Sequence, residues 1–198
     1  MRIAVFGGSF NPVHIGHLKL VKKVKTEFNI DKVIVVPTYS TPLKDNSNLI
    51  SGADRFNMCK LAFEGIDFVE VSDFEILHQK ESYTYITLEH FKSVYPDDEL
   101  FFVVGADMFN TIDKWKNPDY IFKSAVIIVV ERNGSNADIF QKADELSLIG
   151  CKSVILNESV YDISSTEIRG KFSRNEDVSA YLDCKVIDYI NNNNLYRV

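Results

Sequence analysis

Six short apolar runs, at residues 3–6, 33–36, 69–71, 100–104, 125–130 and 154–156, recur along the chain with longer polar-faced stretches between them. Strands that read as continuous apolar runs are buried on both faces. Alternation of such runs with helical segments predicts an α/β fold, a doubly wound parallel sheet. The first connecting stretch sets Leu18, Val21, Val24 and Phe28 opposite Lys19, Lys22, Lys23 and Lys25, the pattern of a helix with one packed face and one solvated basic face. Ser51 three residues before Asp54 predicts an N-capped helix, and a helix from about Thr84 to Tyr95 is expected to stop before Pro96. At 198 residues the chain suits one domain spanning 1–198, with 164–198 as its small C-terminal helical appendage.

Composition narrows the function classes. Hydrophobic residues make up 45% and charged residues 25%, as in an ordinary soluble globular protein. The net charge of −6 argues against a polyanion-binding surface, so no nucleic-acid partner is expected and any phosphate must be held locally. Cys59, Cys151 and Cys184 lie far apart, which predicts buried free thiols rather than a disulfide framework or a zinc site. Met1 and Arg2 run straight into the first apolar stretch, without a signal-peptide layout or a bilayer-spanning run. No membrane partner and a cytoplasmic location are therefore expected.

The first apolar run leads into GGSFNPVHIGH at residues 7–17. Gly7, Gly8 and Ser9 let backbone approach an anion, and a helix opening near Val13 offers amide donors and the positive end of its dipole. His14 and His17, three apart, are expected on one helical face beside that anion. The loop fits neither the dinucleotide fingerprint nor the Walker spacing, and the histidine spacing is not that of a zinc-protease helix. A second phosphate site is predicted where Ile163, Ser164, Ser165, Thr166, Glu167, Ile168 and Arg169 open a helix. Ser164 with Glu167 forms a capping box, while Arg169 adds a fork of donors matched to phosphate oxygens.

These two motifs, His14-Ile15-Gly16-His17 and ISSTEIR, resemble those of the HxGH nucleotidyltransferase superfamily, and most closely its bacterial nicotinate mononucleotide adenylyltransferases. Ser82-Tyr83-Thr84 with Thr87-Leu88 is similar to that family's SYTxDTL stretch, Gly105-Ala106-Asp107 to its GAD, and Trp115 to the tryptophan that follows. Arg132 matches the arginine of R-x-G, Lys44 the lysine of PPHK, and Leu195-Tyr196 the usual ending. The resemblance covers nearly the whole chain and implies a Rossmann-like nucleotidyltransferase fold. It also implies an activity, transfer of the adenylyl group of ATP to nicotinate mononucleotide in NAD biosynthesis, with magnesium bound through the ATP phosphates and no metal ligand among the protein side chains. A homo-oligomer is compatible with it.

By the same resemblance, His17 touches the α-phosphate in the transition state, His14 the β/γ side, and Ser164, Ser165, Thr166 and Arg169 cradle the triphosphate. Gly7, Gly8, Ser9, Phe10, Asn11, Gly105, Asp107, Arg132 and Ile163 complete the expected ATP site, Asp107 near the ribose. Lys44, Tyr83, Thr84 and Trp115 form the expected acceptor site, with Lys44 steering phosphate and the two aromatics stacking on the pyridine ring or serving the core. The chain departs from the family at Leu43 and Ile86, both on the acceptor side, at Asp183, near the place of a usual proline, and at Asn11, where many members have Asp. Competing readings are an adenylyltransferase for nicotinamide mononucleotide or phosphopantetheine, or a non-catalytic nucleotide sensor on the same fold. Class I aminoacyl-tRNA synthetases share the HIGH motif, but a KMSKS loop and a basic tRNA-binding domain are missing from these 198 residues of net charge −6.

Overall fold

The computed structural model describes residues 1–40, 46, 48–132, 137–158 and 164–197, with Arg132, Ala137 and Glu158 described by backbone alone. In chain order the elements that carry the fold are β1 (Arg2–Gly8), α1 (Ile15–Glu27), β2 (Lys32–Pro37), α2 (Gly52–Ala62), β3 (Val69–Val71), α3 (Phe74–His78), α4 (Thr84–Val94) and β4 (Glu99–Gly105). They continue with α5 (Ala106–Phe109), α6 (Pro118–Ser124), β5 (Val126–Arg132), α7 (Ala137–Ser147), β6 (Ser153–Glu158), α8 (Ser165–Ser173) and α9 (Cys184–Asn192). All six expected strands form. They make one sheet in the order β3-β2-β1-β4-β5-β6, every pairing parallel. The order reverses between β1 and β4, and the crevice beyond the carboxyl ends of strands at such a switch point is where open α/β sheets bind ligands.

Side chains alternate between two apolar layers because successive strand residues point to opposite faces. Ala4, Phe6, Val33, Val35, Phe101 and Val103 meet α1, α2, α8 and α9 on one face. Ile3, Val5, Ile34, Val36, Phe102 and Val104 meet α4, α5, α6 and α7 on the other. Ile3, Ala4 and Val5 are 0% exposed, which explains why β1 reads as an unbroken apolar run.

The expected C-terminal helical part is present and is packed into the core, for Ile168, Phe172, Val186 and Ile190 join the layer that α1 and α2 cover. Asp183 caps α9, its carboxylate accepting from Lys185 N at 2.8 Å. A capping side chain here starts the helix in place of the proline that favours a first helical turn. Ser51 caps α2 as expected, accepting from Asp54 N at 3.1 Å. One expectation about cysteine is corrected. Cys59 and Cys151 are buried free thiols, burial pushing Cys151 up to about 11 and Cys59 up as well, but Cys184 is exposed at the first turn of α9. Among the described residues, no helix is long and apolar enough to cross a membrane.

Candidate active site

A cleft of about 1070 Å³ opens at the carboxyl ends of β1 and β4, large enough for two nucleotides on the usual scale of ligand pockets. Gly7, Gly8, Ser9, Phe10, Asn11, His14, His17, Gly105 and Asp107 line it, as do Ser164, Ser165, Thr166 and Arg169 from the far end of the chain. Tyr83, Thr84 and Trp115 line it too, so both expected halves share one crevice. Lys44 and Ile163 lie outside the described residues, as does Leu43, and nothing is described of the Arg132 side chain.

The histidine pair differs in detail from the expectation. Helix α1 starts at Ile15, and His14 is its N-cap with extended backbone (φ −145°, ψ 171°) rather than a residue of the helical face. The amides expected to meet an anion are partly engaged, since Ile15 N donates to Tyr181 O at 2.9 Å and His14 N donates to His17 Nδ1 at 3.1 Å. The two imidazoles nevertheless meet, their centroids 3.8 Å apart. An Nδ1 that accepts a backbone N–H cannot carry a proton, so the neutral His17 ring holds its proton on Nε2 and is a donor there. Phe10 fixes the ring plane edge-on at 5.0 Å. Phe10 itself has φ 45° and is 2% exposed; this uncommon conformation for a bulky residue is held by packing against Phe6 at 5.3 Å.

The start of α8 is tied to the same loop. Ser164 and Glu167 form the expected capping box, with Glu167 N donating to Ser164 Oγ at 3.2 Å and Ser164 N to Glu167 Oε2 at 2.8 Å. The Ser164 hydroxyl, donating to Glu167 Oε2 at 2.7 Å, and then the Ser164 amide lower the Glu167 carboxyl from its ordinary value. Ser165 Oγ donates to Pro12 O at 2.9 Å, and Arg169 donates to Asn11 O at 2.8 Å and Thr166 Oγ1 at 3.2 Å. The guanidinium has five N–H groups, so this anchoring leaves donors for a ligand.

Asn11 takes part on every side. Its Nδ2 donates to Asn48 O at 2.8 Å and its Oδ1 accepts from Tyr196 OH at 2.8 Å. An aspartate could accept from the tyrosine but has no N–H for the Asn48 carbonyl, so the exchange is more than two ways of holding one turn. Burial raises the Tyr196 phenol above its ordinary value.

On the acceptor side, Tyr83 is the N-cap of α4, with Lys116 Nζ 4.4 Å from its ring centroid and its hydroxyl bonded to Glu81, which raises the phenol. Tyr83 N donates to Glu81 O at 3.0 Å, and Ile86 N and Thr87 N donate to Tyr83 O at 3.0 and 3.4 Å, so of the amides expected near Tyr83 and Thr84 those of Thr84 and Tyr85 are the donors at this helix start. Trp115 stands edge-on to Phe102 at 6.3 Å and donates to Thr111 Oγ1 at 3.3 Å, held by the core at one edge while lining the cleft.

Two buried charged residues that the sequence reading missed, Arg55 and Glu75, bear on the site. Arg55, 1% exposed, donates to Ser9 O at 2.8 Å, Ile50 O at 3.1 Å and Tyr39 O at 3.2 Å. A signal for it existed, because Arg55, Met58, Cys59 and Ala62 follow the i, i+3, i+4, i+7 spacing of one buried helical face. Glu75, 7% exposed, lines the cleft and accepts from Thr87 Oγ1. Burial raises its carboxyl against the opposing pull of the Ser82 and Thr87 hydroxyls and Arg55. Its helix is one turn and a half with no periodic signal of its own.

The cytidylyltransferase-like family matches residues 5–171 of this chain. A Clostridium tetani protein named "Probable nicotinate-nucleotide adenylyltransferase" is 37% identical over 196 residues, covering 98% of each chain. One of the same name from Caldicellulosiruptor saccharolyticus is 37% identical over 198 residues, covering 100% of each. Among solved structures, the nicotinic acid mononucleotide adenylyltransferase of Plasmodium falciparum complexed with NaAD is similar with a TM-score of 0.80 and 24% identity, over 98% of this chain and 97% of that one. At that identity the likeness is one of fold.

Proposed function

Since the chain belongs to the cytidylyltransferase-like family, and within it to the nicotinate-nucleotide adenylyltransferases, we propose that it transfers the adenylyl group of ATP to the 5′-phosphate of nicotinate mononucleotide, releasing pyrophosphate and nicotinate adenine dinucleotide. The observation that carries this reading is the meeting of the His14 and His17 rings, 3.8 Å apart, with Ser164, Ser165, Thr166 and Arg169 in one cleft. Donors drawn from both ends of a chain to one crevice suit a polyphosphate.

The acceptor phosphate is already an anionic nucleophile and needs no general base. The protein's task is to align an in-line attack and to stabilise charge that builds on the α-phosphate and the leaving pyrophosphate. His17, a donor through Nε2, is assigned to the α-phosphate, and His14 with Arg169 and the α8 hydroxyls to the β and γ phosphates. ATP is taken as its magnesium complex. The described cleft residues offer no group of three carboxylate, imidazole or thiol ligands, and phosphate and water oxygens suit this hard ion. Held by the ATP phosphates, the ion would supply charge neutralisation that the side chains of this cleft do not.

Asp107 is assigned to the ATP ribose, and Gly105 makes room for it. A Cβ on Gly105 would stand 2.7 Å from Asp107 Oδ1, while the backbone there (φ −72°, ψ 154°) accepts any residue. Gly105→Ala is therefore expected to fold normally and to raise KM for ATP roughly tenfold, equivalent to about 1.4 kcal/mol, by displacing the carboxylate. Steady-state kinetics with each substrate varied in turn checks this, and an unchanged KM for ATP would remove Asp107 from the ribose.

The acceptor tests the whole reading. Amides at the start of α4 suit the carboxylate of the nicotinate form, whereas the nicotinamide form must turn an NH₂ toward donors and leave buried groups unpaired at about 1–3 kcal/mol each. Nicotinate mononucleotide is expected to exceed nicotinamide mononucleotide in kcat/KM by at least about tenfold. Incubation with ATP, magnesium and a panel of phosphate acceptors, with products identified by mass, decides between this and the alternatives. Equal values, or preference for the amide, would assign the chain a different acceptor, and no transfer to any acceptor would favour a nucleotide sensor.

A further inference from the structure

We propose that Glu75 is a positioning residue for the acceptor, holding through Thr87 the first turn of the helix that follows Tyr83 and Thr84, while Arg55 ties the segment before them to the ATP loop. Thr87, in the first turn of α4, donates to Glu75 Oε1. Ser82, just before the helix, accepts from Tyr39 N at 3.0 Å, and its hydroxyl favours the charged form of the Glu75 carboxyl. Its own amide donates to Ser40 O at 2.9 Å. The two cleft residues Tyr83 and Thr84 thus lie between two anchored side chains, Ser82 held by the Tyr39 amide and Thr87 held by the buried Glu75 carboxylate. On the other side of Tyr39, Arg55 donates to its carbonyl and to that of Ser9 in the loop after β1. Both side chains are buried, and the Arg55 charge opposes the burial that raises the Glu75 carboxyl. One path of hydrogen bonds therefore runs from the loop assigned to ATP to the turn assigned to the acceptor. Fixing the relative placement of two substrates is what in-line transfer requires.

This inference rests on the acceptor reading above, so kinetics are taken on whichever mononucleotide the wild-type protein adenylylates, with Kd for that mononucleotide from quenching of Trp115, the single tryptophan. Glu75→Ala is expected to raise KM and Kd for the acceptor by about tenfold or more while KM for ATP stays within about twofold. Glu75→Gln, which keeps an oxygen for Thr87, should return the acceptor KM to within about threefold of wild type. Thr87→Val carries the same test without touching the buried charge, should the alanine variant not fold. If the KM values for ATP and acceptor rise together, if glutamine rescues nothing, or if only thermal stability falls, Glu75 is a structural residue and the proposal fails. A wild-type protein that adenylylates no mononucleotide overturns the functional reading itself, and this proposal with it.

Discussion

His17→Ala is expected to lower kcat about a hundredfold, equivalent to about 2.7 kcal/mol, the scale of one donor aimed at charge that develops in the transition state. The ring is held for that role on two sides, by the His14 amide at Nδ1 and by Phe10 edge-on, so its remaining nitrogen is a placed donor rather than a mobile one. Losing the acceptor for the His14 amide should cost stability by about 1 kcal/mol, visible as a small fall in Tm with an unchanged circular dichroism spectrum. KM for ATP should change less than about threefold, because an interaction made only in the transition state leaves ground-state binding alone. Near-wild-type kcat combined with lost ATP binding would make His17 a ground-state contact and overturn the assignment.

Arg169→Ala should lower kcat/KM for ATP by roughly a hundredfold or more, about 2.7 kcal/mol, and unlike the His17 variant it should raise KM for ATP as well. A guanidinium on phosphate acts in ground and transition states alike. There is a second cause in the structure, because Arg169 also ties α8 to the Asn11 carbonyl, and its removal frees the helix that presents Ser164, Ser165 and Thr166. Arg169→Lys should recover only part of the loss, since an ammonium reaches one partner at a time where the planar fork reaches Asn11, Thr166 and phosphate together. Full recovery by lysine, measured as kcat/KM for ATP, would show that charge alone matters at this position.

The contrast between these two residues and Glu75 marks how far the amino-acid sequence reaches. His14 and His17 stand three residues apart and Ser164 and Arg169 five, so local spacing was enough to name them as candidates. The strands were legible for a similar reason. Burial on both faces of a parallel sheet demands unbroken apolar runs such as residues 3–6, and the helices between them show their packed faces by periodicity. What local pattern misjudged was the detail at the helix start, where His14 is the cap and the amides of His14 and Ile15 bond to His17 and Tyr181; Tyr181 lies in a distant segment that no spacing connects to the loop.

The chain by itself determined the sheet, its two apolar faces and the phosphate-binding motifs, because each of these is written in residues close in sequence. Only the tertiary structure decided that Asn11 is locked by Asn48, Arg169 and Tyr196, that Arg55 holds the carbonyls of Ser9 and Tyr39, and that Glu75 is buried beside Ser82 and Thr87. A charged side chain in sequence reads as solvated. Its burial depends on partners brought by other elements, and the partners exist only once the strands have paired and carried their loops to one end of the sheet.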